Sequence, residues 1–133
     1  HAVQSEFYGP GPRTEDNLHA LEALTYDGLV FEAGATSDEE FERIVADGGR
    51  RAEMYRHLRQ LVNRHTDAIR TGFPKIPRRV SGYSLPALLP ENGFHVARAL
   101  SGSEATCAIT LEATVDQRGS TRAWPERPWP GRP

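Results

Sequence analysis

The residues best suited to chemistry stand together at positions 102–106, which read Gly-Ser-Glu-Ala-Thr. Glycine lets the backbone approach a bulky group, and backbone N–H groups with the hydroxyls of Ser103 and Thr106 are the donors that an anion-binding nest needs. Such a segment can hold a phosphate. The same small residues also form ordinary tight turns before a strand, so both interpretations stay open on these residues alone.

The carboxylate of Glu104 lies in the middle of this segment. A carboxylate beside a phosphate is repelled by about 1 kcal/mol or more at close approach, even at moderate dielectric constant. We therefore expect Glu104 to accept hydrogen bonds from turn amides and to brace the loop, with direct ligand contact as the alternative.

The sequence does not indicate a metal site or a reactive thiol. Glu53 and His57 are four residues apart on one predicted helix face, but no third ligand stands at a useful spacing, so we predict no metal site. His65 falls on an apolar stripe and is expected in the core. The single cysteine, Cys107, excludes an internal disulfide and is predicted to be an inert thiol on the buried face of a strand.

Length and composition indicate one globular domain or part of one. The chain has 133 residues, of which 38% are hydrophobic and 26% charged. No apolar run approaches membrane length, so we predict no membrane span, and nothing contradicts a cytoplasmic location.

Charge is unevenly distributed along the chain. Residues 1–49 hold eleven acids against Arg13 and Arg43, whereas residues 50–79 hold nine bases against two acids. We expect the basic helix to pair with its acidic neighbour in the fold. Nucleic-acid binding is the other interpretation, but the bases surround the helix without interleaved aromatic residues, so we predict no nucleic-acid partner.

The elements that must position residues 102–106 follow from local signals. Residues 18–33 read as a β-hairpin around a two-residue type I′ turn at Asp27-Gly28. Ser37 and Glu40 form a capping box that opens a helix, which Gly48-Gly49 ends. A second helix is predicted over residues 51–70, and a short third one after Ser84.

A strand is predicted to follow the small-residue segment, because polar and apolar residues alternate over positions 107–115. The predicted fold class is α+β: a small, mainly antiparallel sheet, made of the hairpin plus this C-terminal strand, packed with two to three helices. Residues 1–115 form the domain. Residues 116–133 are proline-rich and without periodicity, so we expect a disordered tail.

Four passages resemble one family. Residues 102–113, Gly-Ser-Glu-Ala-Thr-Cys-Ala-Ile-Thr-Leu-Glu-Ala, resemble a signature of FAD-linked oxidases and dehydrogenases of the vanillyl-alcohol oxidase and p-cresol methylhydroxylase type. The branch with glycolate oxidase and D-lactate dehydrogenase subunits is the most similar. Residues 8–17, 24–28 and 76–94 agree with the same family, and the resemblance covers residues 1–115.

The resemblance implies a PCMH-type FAD-binding domain, of which this chain would be the second subdomain, cut from a longer protein. It implies FAD as cofactor and oxidation of a small hydroxyl-bearing substrate, such as a 2-hydroxy acid. No catalytic residue is assigned, because the family's substrate domain would follow position 115. The residues implied to bind FAD are Asn17, Gly102, Ser103, Glu104, Ala105, Thr106, Ala108 and Ile109.

One residue departs from the family pattern. Ala105 stands where the family has glycine, and it would cost about 1 kcal/mol if the position needs a positive φ. Its Cβ would also enter the space of the cofactor. The alternative to an oxidoreductase fragment is therefore a non-catalytic remnant, or truncated gene product, that binds no flavin by itself.

Overall fold

A computed structural model describes residues 14–73 and 83–115 of the chain. The predicted tail at residues 116–133 lies outside the described residues, as does most of the predicted connector between the second helix and position 83. The described elements follow each other in this order: a 3-10 turn at Thr14–Asn17, β1 at Leu18–Thr25, β2 at Val30–Gly34, α1 at Asp38–Asp47, α2 at Gly49–Gly72, 3-10 turns at Leu85–Leu88 and Pro90–Asn92, α3 at Val96–Leu100, and β3 at Ala108–Val115.

The three strands form one antiparallel sheet in the order β2-β1-β3. The helices cover one face of this sheet, which confirms the predicted α+β fold with a hairpin plus a C-terminal strand. Within the described ranges, no helix combines the length and apolar character that a membrane span requires.

The hairpin is present, but its turn differs from the predicted one. The Thr25 N–H donates to the Leu29 carbonyl (2.9 Å), which leaves a three-residue loop at positions 26–28. The Gly28 N–H donates to the Thr25 carbonyl (3.0 Å), and within that loop Gly28 takes a positive φ of 90° while Asp27 does not. A type I′ turn needs positive φ at both central residues, so the prediction of a two-residue turn was wrong.

The helix signals largely hold. The Ser37 hydroxyl accepts the Glu40 N–H at 3.1 Å, as the capping box predicts, and α1 ends before Gly48. The second helix is longer at both ends than predicted. Its buried residues Tyr55, Val62 and Ile69 lie seven positions apart.

The prediction of a core histidine on α2 was wrong. His65 is exposed and has non-helical angles (φ −117°, ψ 18°), at a kink within the helix. The buried positions Tyr55, Val62 and Ile69 recur every seven residues, and His65 is not one of them.

Arginines on α2 pair with the acidic N-terminal half, as the charge distribution predicts. Arg50 contacts Asp27 at 2.7 Å, and Arg59 contacts Asp38 at 3.0 Å. The basic helix is therefore a partly neutralised surface of the fold.

An aromatic cluster closes the core between the two helices and the segment before α3. The Phe94 ring meets Phe41 edge-on at 6.0 Å and Tyr55 at 6.3 Å between centroids. The Arg59 guanidinium lies over both Phe41 (4.3 Å) and Phe94 (4.6 Å). Other buried members of this core are Leu21, Ala23, Phe31, Ala33, Ile44, Val62, Leu88, Leu89 and Val96.

The third strand buries only Ala108 among its apolar residues. In the β1–β3 ladder Glu22 pairs with Glu112 but the next residue, Ala23, pairs with Thr110, so Leu111 is an extra residue that forms a bulge. A bulge shifts the alternation by one position and exchanges the two faces of a strand. β3 is also an edge strand, and all of its residues after Ala108 are exposed on both faces. The prediction of one buried apolar face was wrong, as was the prediction of a buried thiol: the exposed residues are Cys107, Ile109, Leu111, Ala113 and Val115.

Candidate functional site: the loop before the third strand

The small-residue segment forms a loop between α3 and β3, built from two consecutive turns. The Ser103 N–H donates to the Leu100 carbonyl (3.1 Å), and the Thr106 N–H donates to the Ser103 carbonyl (2.9 Å). Because Ala108 pairs with Thr25 at the end of β1, the loop reaches the end of the sheet where the hairpin turns.

The loop backbone is left-handed at three positions, namely Gly102 (φ 83°), Glu104 (φ 50°) and Ala105 (φ 60°). A turn with positive φ at both central residues favours Asn-Gly, whereas here the pair is Glu-Ala. Each non-glycine residue in this region costs roughly 1–2 kcal/mol. Strain of this kind persists only where neighbours hold it, and it gathers at ligand-binding sites.

Two tyrosines from elsewhere in the chain hold this loop. The Tyr26 hydroxyl donates to the Ala105 carbonyl, and the Tyr83 hydroxyl lies 2.8 Å from the Thr106 hydroxyl. The Thr106 hydroxyl also donates to the Ser103 carbonyl at 2.6 Å. The strained turn is thus fixed from both sides by side chains that local sequence does not connect to it.

The hydrogen bonds decide which donors are available to an anion. The Ser103 and Thr106 N–H groups are engaged within the loop. Across residues 14–73 and 83–115, no carbonyl accepts the N–H of Glu104 or of Ala105, and both residues are exposed. These two successive N–H groups, together with that of exposed Gly102, are the donors that the loop offers, rather than those of Ser103 and Thr106.

The Glu104 side chain is exposed. In the part of the chain that the structure describes, no amide donates to its carboxylate, so the bracing expected of it comes from the two tyrosines instead. Its carboxylate is free to turn away from an anion at the loop, at little cost in desolvation.

Comparison with known proteins gives two relatives. The chain is 30% identical over 105 residues to the D-2-hydroxyglutarate dehydrogenase of Pseudomonas putida and 24% identical over 106 residues to that of Pantoea ananatis. This chain resembles part of both enzymes. Each alignment covers 78% of this chain and 10% of the relative, so the chain spans about a tenth of their length. No family model and no solved structure matches it.

The similarity to D-2-hydroxyglutarate dehydrogenases agrees with the resemblance to a dehydrogenase family. The relatives carry the name of an enzyme that acts on a 2-hydroxy acid. That name specifies neither a cofactor nor which residues bind one.

The structure brings most of the candidate site residues together and separates one. Residues 102–109 are continuous, with Ala108 buried opposite Thr25 and Ile109 exposed opposite Leu24. Asn17 precedes the other end of β1, about 20 Å along the strand from the residue that pairs with Ile109. Sequence reasoning missed Tyr26. It placed Tyr83 in a family-like passage that could lie near the site, but favoured a connecting loop there.

The described residues do not bring the other candidate metal ligands together. Glu53 pairs with Arg50 at 3.0 Å rather than with His57. Within the described residues, no three histidine, cysteine, aspartate or glutamate side chains come close enough to hold a metal ion.

Replacing Ala105 by glycine is expected to raise the free energy of unfolding by about 1 kcal/mol. Relief of the left-handed backbone contributes roughly 1–2 kcal/mol, and the greater freedom of glycine in the unfolded chain offsets part of it. Urea denaturation followed by circular dichroism measures the change. Ala46→Gly, at an exposed position of α1, is the control and should lose about 1 kcal/mol. Equal losses in both variants would show that Ala105 is not strained.

Proposed function

We propose that this chain forms part of the FAD-binding domain of a longer dehydrogenase that oxidises a 2-hydroxy acid. The observation that carries the proposal is the exposed left-handed turn at residues 103–106, which lies in the passage that resembles the FAD-linked family. The similarity to two D-2-hydroxyglutarate dehydrogenases supports the class of substrate.

The loop suits the phosphate part of a dinucleotide. Successive N–H groups of residues with left-handed backbone form a concave, partly positive surface that favours anions. Glu104 and Ala105 offer two such groups, and Gly102 leaves the neighbouring backbone uncovered. Ile109 is exposed at the start of β3, three residues after the turn, and would give the cofactor an apolar contact.

The division of labour follows from these residues. When bound, FAD supplies the redox chemistry by accepting a hydride equivalent from a hydroxyl-bearing carbon. The described residues would bind and orient the cofactor, and we assign none of them as an acid or a base. Groups that bind the small-molecule substrate would belong to the rest of the longer protein.

The isolated chain is expected to bind FAD no better than high micromolar. The few N–H groups that the loop offers must offset the lost translational and rotational freedom of the cofactor, which costs several kcal/mol. Quenching of flavin fluorescence during titration measures the affinity. A chimera that carries this chain in place of the matching segment of the Pseudomonas putida dehydrogenase should bind FAD far more tightly.

A glycine substitution sharpens the test. In the chimera, Ala105→Gly should strengthen FAD binding by up to about tenfold, because it removes both a Cβ and backbone strain. Ala46→Gly, remote from the loop on α1, should leave the affinity unchanged. If the chimera unfolds cooperatively but binds no flavin, even with Ala105→Gly, the alternative of a remnant without cofactor stands.

A further inference from the structure

The sheet face turned away from the helices carries two rows of side chains that cross all three strands. The glutamate row consists of Glu32, Glu22 and Glu112, each directly opposite the next in the ladders. The apolar row beside it consists of Val30, Leu24 and Ile109. We call these two rows together the open face.

The open face is costly if nothing covers it. Like charges directly opposite each other on neighbouring strands destabilise a sheet. In the described ranges, no arginine or lysine lies within 4 Å of these three carboxylates. The glutamates instead line an open pocket of about 240 Å³. Val30 and Ile109 are 49% and 46% exposed, so apolar area lies next to concentrated negative charge.

We propose that residues 116–133 of this same chain lie across the open face. The segment follows β3 directly and has the complementary composition. It carries four arginines against Asp116 and Glu126, and it holds both tryptophans of the chain, Trp124 and Trp129. Arginine pairs well with carboxylates and tryptophan covers large apolar areas, so this composition fits a surface of glutamate beside valine, leucine and isoleucine.

The chain length allows this contact. Glu112 lies about 10 Å and Ile109 about 20 Å back along β3 from Val115. An extended chain spans about 23 Å from Val115 to Arg122 and about 30 Å to Trp124. Arg122 can therefore reach the glutamate row and Trp124 the apolar row, even when several residues are used to reverse the direction of the chain.

The prolines of the segment are compatible with this arrangement. Proline removes backbone donors and favours an extended conformation without internal hydrogen bonds, so the segment would cover the face by side-chain contacts and not as a fourth strand. This docking departs from the disordered tail that composition alone predicts. The proposed flavin site and the open face share only Ile109, so variants of the glutamates and of the arginines test the docking separately from flavin binding.

Tryptophan fluorescence tests the docking directly, because the only two tryptophans belong to the segment. The full chain should emit at shorter wavelength and be less quenched by acrylamide than a synthetic peptide of residues 116–133. Glu22→Gln with Glu112→Gln should weaken docking by about tenfold, as two exposed ion pairs allow, and shift the emission towards that of the peptide. Arg118→Glu with Arg122→Glu should act in the same way.

A matched control removes two charges elsewhere. Glu39→Gln with Glu42→Gln, both exposed on α1, should leave the emission unchanged. Emission of the full chain equal to that of the peptide would overturn the proposal, as would an equal response to the control. Emission that changes with protein concentration would overturn it in favour of a second copy on the open face. If the paired glutamate variant fails to fold, the arginine variant decides, since it leaves the described residues intact.

Discussion

Replacing Phe94 by alanine is expected to lower the free energy of unfolding by about 3–5 kcal/mol. The Phe94 side chain is 3% exposed and contacts the rings of Phe41 and Tyr55. Its ring also lies under the Arg59 guanidinium. Removal of the ring would leave a cavity at the junction of α1, α2 and the segment before α3. A domain of this size has about 5–15 kcal/mol in total, so the variant should be close to unfolding.

The backbone at Phe94 adds a second, finer expectation. Its φ is 44°, a left-handed value that is unusual for an aromatic residue. Alanine there keeps the backbone strain, whereas glycine removes it. Phe94→Gly should therefore be no less stable than Phe94→Ala, the reverse of the order at an ordinary position.

Urea denaturation at neutral pH measures these differences. Phe94→Leu, which keeps much of the volume, should lose less than the alanine variant. Glu42→Ala, at an exposed position of α1, is the control and should change stability by less than about 0.5 kcal/mol. A loss below about 1 kcal/mol for Phe94→Ala would contradict the aromatic cluster as the centre of the core.

Acid is expected to destabilise the fold by up to about 3 kcal/mol between pH 6.5 and pH 4, through His95. The pKa of His95 is lowered from 6.5 to about 4, first by burial and then by the positive charges of Arg98 and of the neighbouring His19. In this interval the unfolded chain binds a proton on His95 and the folded chain does not. Stability is therefore full above pH 6.5 and falls as the pH decreases.

The role of His95 in the fold suggests a substitution that removes the titration and keeps the structure. Its Nδ1 accepts the Arg98 N–H at 3.3 Å and so caps α3. Asparagine is also a good N-cap, so His95→Asn should fold and show a smaller loss of stability between pH 7 and pH 4.5.

Free energies of unfolding from urea titrations at several pH values provide the measurement. His57→Asn, at an exposed position of α2, should keep the full pH dependence. The pKa of Glu91, which Arg70 lowers from 4.5 to about 2, affects stability only at lower pH. The pKa of Asp27 is also lowered, by the Thr25 hydroxyl and then Arg50, and acts in the same acidic range. An unchanged slope in His95→Asn would show that carboxylates cause the acid loss.

Local sequence signals were sufficient to predict the helices and strands, but not to predict which of their faces are exposed. Ser37 caps α1 and Gly48 ends it, because both effects act within one turn of helix. The exposure of both faces of β3 follows from its place at the edge of the sheet, which its own alternating sequence does not show. His65 is exposed at a kink in α2 that no single residue type marks.

The candidate site divides in the same way. Small residues and family resemblance identified the segment at positions 102–109. The left-handed backbone at Glu104 was not predictable, because its residue type disfavours that conformation and distant partners impose it. Tyr26 reaches the loop from a position 79 residues away, so only the folded chain reveals it.

The strand order also sets the sequence of events during folding. β1 is the central strand, yet its second partner is β3, the last described element of the chain. The hairpin and the two helices can form from nearby residues, whereas β3 must close a long loop before it gains any contact. On the ribosome, β1 therefore has an unpaired edge until residues 108–115 emerge. That edge is a template for strands of other chains, so prompt arrival of β3 protects the nascent protein from aggregation.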